Sequence, residues 1–293
     1  MPLPLKPPIK PQLARSRKEL PIGDGWAYEP KYDGFRTIAF VDGADVYVQS
    51  RGGKPMARYF PELSFPEGRY VIDGELVILD EDGAEVFDAL QNRIHPAESR
   101  VQRLAEETPA FFRAFDLLAE GDDDLMGKPF RERRQALVTL ISGFDGSGKR
   151  GPGGWSAGSI ELTPLTLEPD AASPWLESGE GVIAKDIEAP YSPNDRKNMA
   201  KIKRLRTIDA VVAGWRPGKE ENTVGALMLG LYDGDDLRVI GHSSGLKAAE
   251  KRELVIEVSF DHVSAGRIRH GAKILRWRED KSPKGCDISQ LDQ

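Results

Sequence analysis

Residues 70–79 read Tyr-Val-Ile-Asp-Gly-Glu-Leu-Val-Ile-Leu, an apolar stretch of strand length with Asp73, Gly74 and Glu75 at its centre. The flanking residues ask for burial on both faces of a sheet. Two carboxylates inside such a strand cost free energy unless they are partnered or used. The stretch is therefore a buried strand whose polar interruption has a task.

Strand patterns recur on both sides of it. Residues 36–41 and 44–50 form a hairpin across Asp42-Gly43, a dipeptide suited to a tight turn. Residues 109–118, 160–167, 181–185 and 199–204 are further strands, and 109–118 ends in Phe-Asp-Leu-Leu. Helical periodicity covers 87–107, broken near Pro96, and 129–141, where a proline opens the helix. Residues 1–22 carry prolines at 2, 4, 7, 8, 11 and 21, which predicts an extended arm with no element of its own. After Arg206 the chain turns to short strands at 209–215, 226–232, 237–241, 255–260 and 272–276, with one helix near 246–254, the pattern of a small β-barrel. The predicted fold class is α+β, with domains at 1–206 and 207–293.

A chain of 293 residues can bury a full core. No apolar run approaches the ~20 residues of a membrane span, and the proline-rich start lacks a secretory signal, so a cytoplasmic protein is expected. One cysteine, Cys286, excludes an internal disulfide framework and a multi-cysteine zinc site. The net charge of −6 argues against a protein that coats nucleic acid indiscriminately. Its distribution argues the other way. Basic residues crowd 196–206 and 267–284, positions that would ordinarily be solvated faces.

Two motifs invite chemistry. The run from Gly143 to Arg150 nearly matches a phosphate-binding P-loop, but Arg150 stands where a Ser or Thr would hold magnesium, and Gly151-Pro152-Gly153-Gly154 cannot begin the required helix. It is expected to be a flexible loop. Asp122-Asp123-Asp124 lacks calcium-loop spacing and is taken as a solvated turn. The second motif is Lys31-Tyr-Asp33-Gly34, a lysine where a strand breaks into a turn. Alone it would mean little. It is followed in order by Arg36, Arg51, Asp73-Gly74-Glu75, Phe115-Asp116, Glu180-Gly181, Lys185, and Lys201-Ile-Lys203, each in or beside a predicted strand. Such a set is fit to line one nucleotide pocket.

The series resembles the six ordered nucleotidyltransferase motifs of ATP-dependent DNA ligases, and is most similar to the small stand-alone bacterial ligases and the ligase domain of bacterial end-joining proteins. The likeness runs from the arm to Arg276-Trp-Arg-Glu-Asp-Lys281. It implies an adenylation domain with antiparallel sheets followed by an OB-fold. It also implies that Lys31 takes AMP from ATP with Mg2+ or Mn2+, and that the AMP then activates the 5′-phosphate of nicked duplex DNA for attack by a 3′-hydroxyl. A lysine with the ordinary pKa near 10.4 is almost wholly protonated at neutral pH, so such a nucleophile needs cationic neighbours or desolvation.

By the same resemblance, Arg36, Lys201, Lys203 and the metal supply that environment. Lys201 and Lys203 balance charge on the α-phosphate, Glu75 and Arg36 hold the ribose, and Arg51 positions phosphate. Phe115 stacks on adenine, and Glu29 and Lys185 join the nucleotide site. Glu180, with Glu75, serves the metal, while Asp33 assists sealing. Arg276 and Lys281 orient the departing pyrophosphate, and 204–209 is the hinge. A monomer that works on the nucleoid alongside repair or end-joining proteins is expected. The barrel is short between 246 and 258, and 175–180 is tight before the metal-site motif. An RNA ligase, a capping guanylyltransferase, or a DNA-end-binding module with a decayed pocket are the competing readings.

Overall fold

The computed structural model describes residues 2–144, 160–217, 224–244, 255–264, 266–269, 271–278 and 280–292. The chain divides into two compact units, Met1–Lys203 and Arg204–Gln293.

The first unit contains β1 (Arg15–Arg17), β2 (Trp26–Pro30), β3 (Phe35–Gly43), β4 (Asp45–Ser50), β5 (Gly68–Ile78), α1 (Phe87–Arg93), α2 (Glu98–Glu107), β6 (Ala110–Glu120), β7 (Asp123–Asp124), α3 (Phe130–Ser142), β8 (Ile160–Leu162), α4 (Ser173–Glu177), β9 (Gly181–Asp186) and β10 (Met199–Lys203). Two sheets result. One runs β4-β3-β5-β6-β7, with β8 parallel to β6, and the other runs β1-β10-β9-β2.

The central strand β5 divides its residues by the two-residue period of a strand. Tyr70, Ile72, Leu76 and Ile78 join Ala39, Val41, Phe112 and Leu117 in a core closed by Leu90 of α1 and Leu137 of α3. Val71, Asp73 and Glu75 face the other way. On that second face the apolar half, with Ile38, Phe40, Val71 and Leu118, is covered by Leu3, Leu5 and Ile9 of the N-terminal arm. The polar half holds Arg36, Glu75 and Phe115 and lines a cleft. The interruption in the 70–79 pattern is thus the line where one sheet face passes from core to site.

The arm corrects one expectation. Residues 1–22 do form an element: Arg15, Ser16 and Arg17 pair in parallel with Ala200, Lys201 and Ile202 of β10. Beyond Pro11 the arm has no proline until Pro21, so its backbone N–H groups are free to complete a sheet edge. The expected strand 160–167 shortens to β8, since Pro164 brings no donor. The break at Pro96 separates α1 from α2 as expected. Asp123 and Asp124, read as a turn, pair with Glu120 and Ala119 as the two-residue strand β7.

Residues 145–159, with most of the P-loop lookalike and its expected loop, and the expected helix at 246–254 lie outside the described residues. The start of the lookalike closes a helix. Gly143 donates its N–H to the Thr139 and Leu140 carbonyls at the end of α3, and the Phe144 ring lies 5.7 Å from that of Tyr70. A P-loop would follow a strand and open a helix.

The second unit contains β11 (Arg206–Pro217), β12 (Val224–Asp233), β13 (Asp236–Ser244), β14 (Val255–Phe260), β15 (Val263–Ser264), β16 (Arg267–Ile268) and β17 (Lys273–Trp277). Its antiparallel sheet runs β13-β12-β11-β14-β17, beside a β15-β16 ladder. All five expected strands are present. Its core is built from Ile208, Leu229, Ile240, Ile256, Val258 and Phe260, with Cys286 buried among them.

Candidate active site

In the second sheet of the first unit the period of two again sorts side chains. Val182, Ala184, Ala200 and Ile202 pack with Tyr28 and with Trp175 and Leu176 of α4. Their neighbours Ile183, Lys185, Met199 and Lys201 line a cleft of about 490 Å³, together with Arg36, Glu75 and Phe115 of the first sheet and residues 11–16 of the arm. That volume lies in the range of small-molecule sites.

Lys31 follows directly on β2 and lines this cleft. Main-chain contacts hold it. Its N–H donates to the Gly181 carbonyl at 2.9 Å. Three residues on, a Cβ at Gly34 would fall on the Leu76 carbonyl oxygen of β5, so only glycine lets the turn lie this close to the sheet. Gly181 has φ of +129°, and a Cβ there would meet the Ile202 carbonyl, which explains the glycine after Glu180. The Asp33 N–H donates to Glu85 Oε2 at 2.7 Å. The buried Asp33 and half-buried Glu180 carboxylates lie within 4.8 Å of one another, an oxygen pair suited to a hard divalent cation.

Charges of both signs are forced away from their ordinary ionisation. Partial burial first, then the nearby Lys31, pushes the ammoniums of Lys201 and Lys203 down. Burial pushes the Glu75 carboxyl up to about 8 against the opposing pull of Arg36 and Lys31. Glu85 is pushed up to about 7, again by burial, although the Asp33 N–H and Lys31 oppose it.

Beneath the cleft lie buried ion pairs. Arg36 grips Asp73 with two hydrogen bonds of 2.6 Å, and its guanidinium lies 4.3 Å from the Phe115 ring centre. Lys185 is 2.7 Å from Glu29, donates to the Phe115 carbonyl at 3.1 Å, and sits 4.6 Å from the Phe115 ring centre. Arg134 of α3 takes the other oxygen of Glu29 at 3.3 Å. Burial pushes Glu29 up and Lys185 down, each toward its neutral form, while their pairing resists both shifts.

The structure therefore gathers Glu29, Lys31, Arg36, Arg51, Glu75, Phe115, Lys185 and Lys201 around one cleft. Lys203 and Glu180 stand next to that group, within electrostatic reach of Lys31 and of Glu85 respectively. Arg276 and Lys281 belong to the second unit, where Arg276 pairs with Glu257 at 2.6 Å and Lys281 with Asp209 at 2.7 Å. Sequence reasoning passed over Glu85, Arg134 and Tyr191. Nothing in their neighbourhoods marks them, because their partners lie 52, 105 and 118 residues away.

A lysine set between two sheets, with cations on one strand and carboxylates and an aromatic ring on the facing sheet, suits covalent nucleotidyl transfer. The family model described as "ATP dependent DNA ligase domain" matches residues 11–203. The chain belongs to the ATP-dependent DNA ligases.

Among curated relatives, DNA ligase C of Mycobacterium tuberculosis is 40% identical, with 100% of this chain and 96% of the relative covered. DNA ligase C2 of Mycolicibacterium smegmatis is 39% identical over the same shares. The alignment to DNA ligase C spans 357 positions against 293 residues here, so that relative carries segments this chain lacks. The crystal structure of the ligase domain of M. tuberculosis LigD matches with a TM-score of 0.55 at 25% identity, covering 95% of this chain and 97% of that one. A structure of Lig E DNA ligases shares the fold at a TM-score of 0.63 and 18% identity, covering 91% and 98%. The second unit is accordingly an OB-fold following an adenylation domain. Among the described residues no helix is long and apolar enough to cross a membrane.

Proposed function

We propose that Lys31 is the residue that carries AMP and that the protein seals nicks in duplex DNA, in the service of repair. The observation that carries this reading is the position of Lys31, fixed by main-chain contacts in a cleft lined by Lys201 and flanked by Lys203. Its amine, once deprotonated, uses the nitrogen lone pair to form a bond to the α-phosphorus of ATP. The bond from that phosphorus to the bridging oxygen breaks, and pyrophosphate leaves with the electron pair. The depressed ammoniums of Lys201 and Lys203 face the charge that gathers on the α-phosphate, where preorganised cations act most strongly.

Arg36 and Glu75 hold the ribose, Phe115 gives the adenine a face to stack on, and Arg51 positions phosphate. The Glu29–Lys185–Arg134 group shapes the base end of the site. Asp33 and Glu180, with the expected help of Glu75, would hold a divalent cation, which when bound would offset phosphate charge. Arg276 and Lys281 of the OB-fold orient the pyrophosphate. In the later steps AMP passes to the 5′-phosphate of the nick, the 3′-hydroxyl displaces it, and Asp33 assists. The protein acts as a monomer beside repair or end-joining proteins on the nucleoid.

The test is the sealing of a nicked duplex by the purified protein with ATP and magnesium, comparing 3′-deoxyribose and 3′-ribose ends, with GTP in parallel. Adenylation by ATP and sealing of the DNA nick are expected. Labelling by GTP in place of ATP, or binding of the nick with no turnover, refutes the reading.

A further inference from the structure

Tyr191 lies outside the cleft lining, fully buried between the N-terminal arm and the first sheet, with 3% of its surface exposed. Its hydroxyl donates to Asp73 Oδ2 at 2.5 Å and accepts the Gln12 N–H at 3.0 Å. Burial, reinforced by Asp73, pushes the phenol well above its ordinary pKa, so it remains a donor. Asp73 has a fully buried carboxylate and gives both oxygens to Arg36. Of Tyr191, Asp73 and Arg36, it is Arg36 that lines the cleft.

The arm is tied at the same place by several bonds. The Gln12 side chain accepts from the Ser192 N–H at 3.4 Å, Asn194 N–H donates to the Pro11 carbonyl at 3.1 Å, and Leu13 N–H donates to the Asp195 carbonyl at 2.8 Å. Segment 191–195 thus holds the arm at Pro11, Gln12 and Leu13, where it forms part of the cleft wall and just before β1.

We propose that Tyr191 is a positioning residue for nucleotide binding, acting through Asp73 to fix the guanidinium of Arg36 and tying that residue to the seating of the N-terminal arm. This inference rests on the reading of Arg36 as a nucleotide contact. An arginine guanidinium is a planar fork, and its aim is set by what grips its far edge. Asp73 supplies that grip with two oxygens in one plane. Tyr191 steadies that carboxylate by donating to Oδ2, the same oxygen that Arg36 Nη2 engages. The hydroxyl in turn is aimed by the Gln12 N–H, so a displaced arm releases the phenol and with it the orientation of Arg36.

The experiment is a double-mutant cycle on ATP-dependent nick sealing, which regenerates the free lysine, with ATP KM and kcat measured for wild type, Y191F, R36A and Y191F/R36A, and unfolding followed in parallel. Loss of the hydroxyl is expected to raise the ATP KM roughly tenfold, with kcat little changed. In the R36A background the same substitution is expected to leave KM where R36A alone has put it, because the group it acts through is gone. Should Y191F not fold, D73N in the same cycle tests the link from its other side. An unchanged KM in Y191F, or an equal rise with and without Arg36, overturns the inference. Failure of the wild type to form the AMP adduct at all overturns the functional reading instead, so the two failures are distinguishable.

Discussion

Replacing Glu75 with glutamine is expected to make the protein more stable while impairing adenylation. The carboxyl of Glu75 lies in the cleft, and burial raises it from an ordinary 4.5 to about 8 even though Arg36 and Lys31 favour its charged form. In the unfolded chain the group loses its proton near pH 4.5, whereas in the folded protein it keeps the proton until about pH 8. The folded state therefore binds more protons across that window, and stability falls as pH rises through it by about 1.4 kcal/mol per pH unit.

Below the window Glu75 costs nothing, and above it the full penalty, on the order of 5 kcal/mol, is present. Glutamine never ionises. Glu75→Gln should match wild type at pH 4.5, gain on it steadily up to pH 8, and hold the gain beyond. Repulsion from Glu85 is part of this penalty and the two carboxyls share the titration, so a gain of half the full figure still bears the argument out. Urea unfolding of both proteins at pH 5, 6.5 and 8.5 reads this directly. A mutant less stable than wild type at pH 8.5, or a difference that does not grow with pH, refutes the argument that the cleft holds an unfavourable carboxylate. The adenylation loss in the same variant would then show a stability penalty retained for chemistry.

Lys31→Ala should give no covalent AMP in an ATP label assay, and Lys201→Ala should slow adenylation by about a hundredfold, the scale for a lost transition-state cation; label retained on Lys31→Ala removes that residue from the role. Asp73→Ala strips a half-buried arginine of its bidentate partner and should cost about 2–3 kcal/mol in chemical denaturation, whereas a loss below about 1 would mean Arg36 finds another partner. Glu85→Ala should slow adenylation while Glu85→Gln, which can still accept the Asp33 N–H, retains most of it; equal loss in both would assign Glu85 to charge rather than to holding the turn. Gly34→Ala should fail to fold or lose all adenylation, because its Cβ would collide with the Leu76 carbonyl; a soluble, active variant would show that β5 can retreat.

What the sequence revealed of the site follows a simple physical division. Alternation alone puts Lys201 and Lys203 on one face of a strand, whereas their joining with Lys185 in one site came from the resemblance to the ordered ligase motifs. The helices were bounded well because Pro96 and Pro129 act locally. The arm's strand was missed because three polar, exposed residues carry no apolar pattern, and the edge they complete belongs to β10, far along the chain. Glu29 was expected to meet the nucleotide, yet its two oxygens are engaged by Lys185 and Arg134, a pairing that depends on the packing of α3 against the sheets. The carboxylates at 73 and 75 drew attention together, but their fates differ. Asp73 is sealed under the sheet as a partner, and Glu75 opens on the cleft.

The attachment of Lys31 is made almost wholly of backbone: its own N–H on the Gly181 carbonyl, and Gly34 laid against the Leu76 carbonyl. Apart from Glu85, which accepts the Asp33 N–H, side chains decorate the cleft without carrying that anchor. On the proposed reading the nucleophile is thus separable from the specificity of the pocket, and exchange of Ile183, Met199 and Phe115, which line the cleft, is expected to alter base choice while the Lys31 amine keeps its place. A redesign of nucleotide choice in this scaffold would begin at those three positions and leave both glycines untouched.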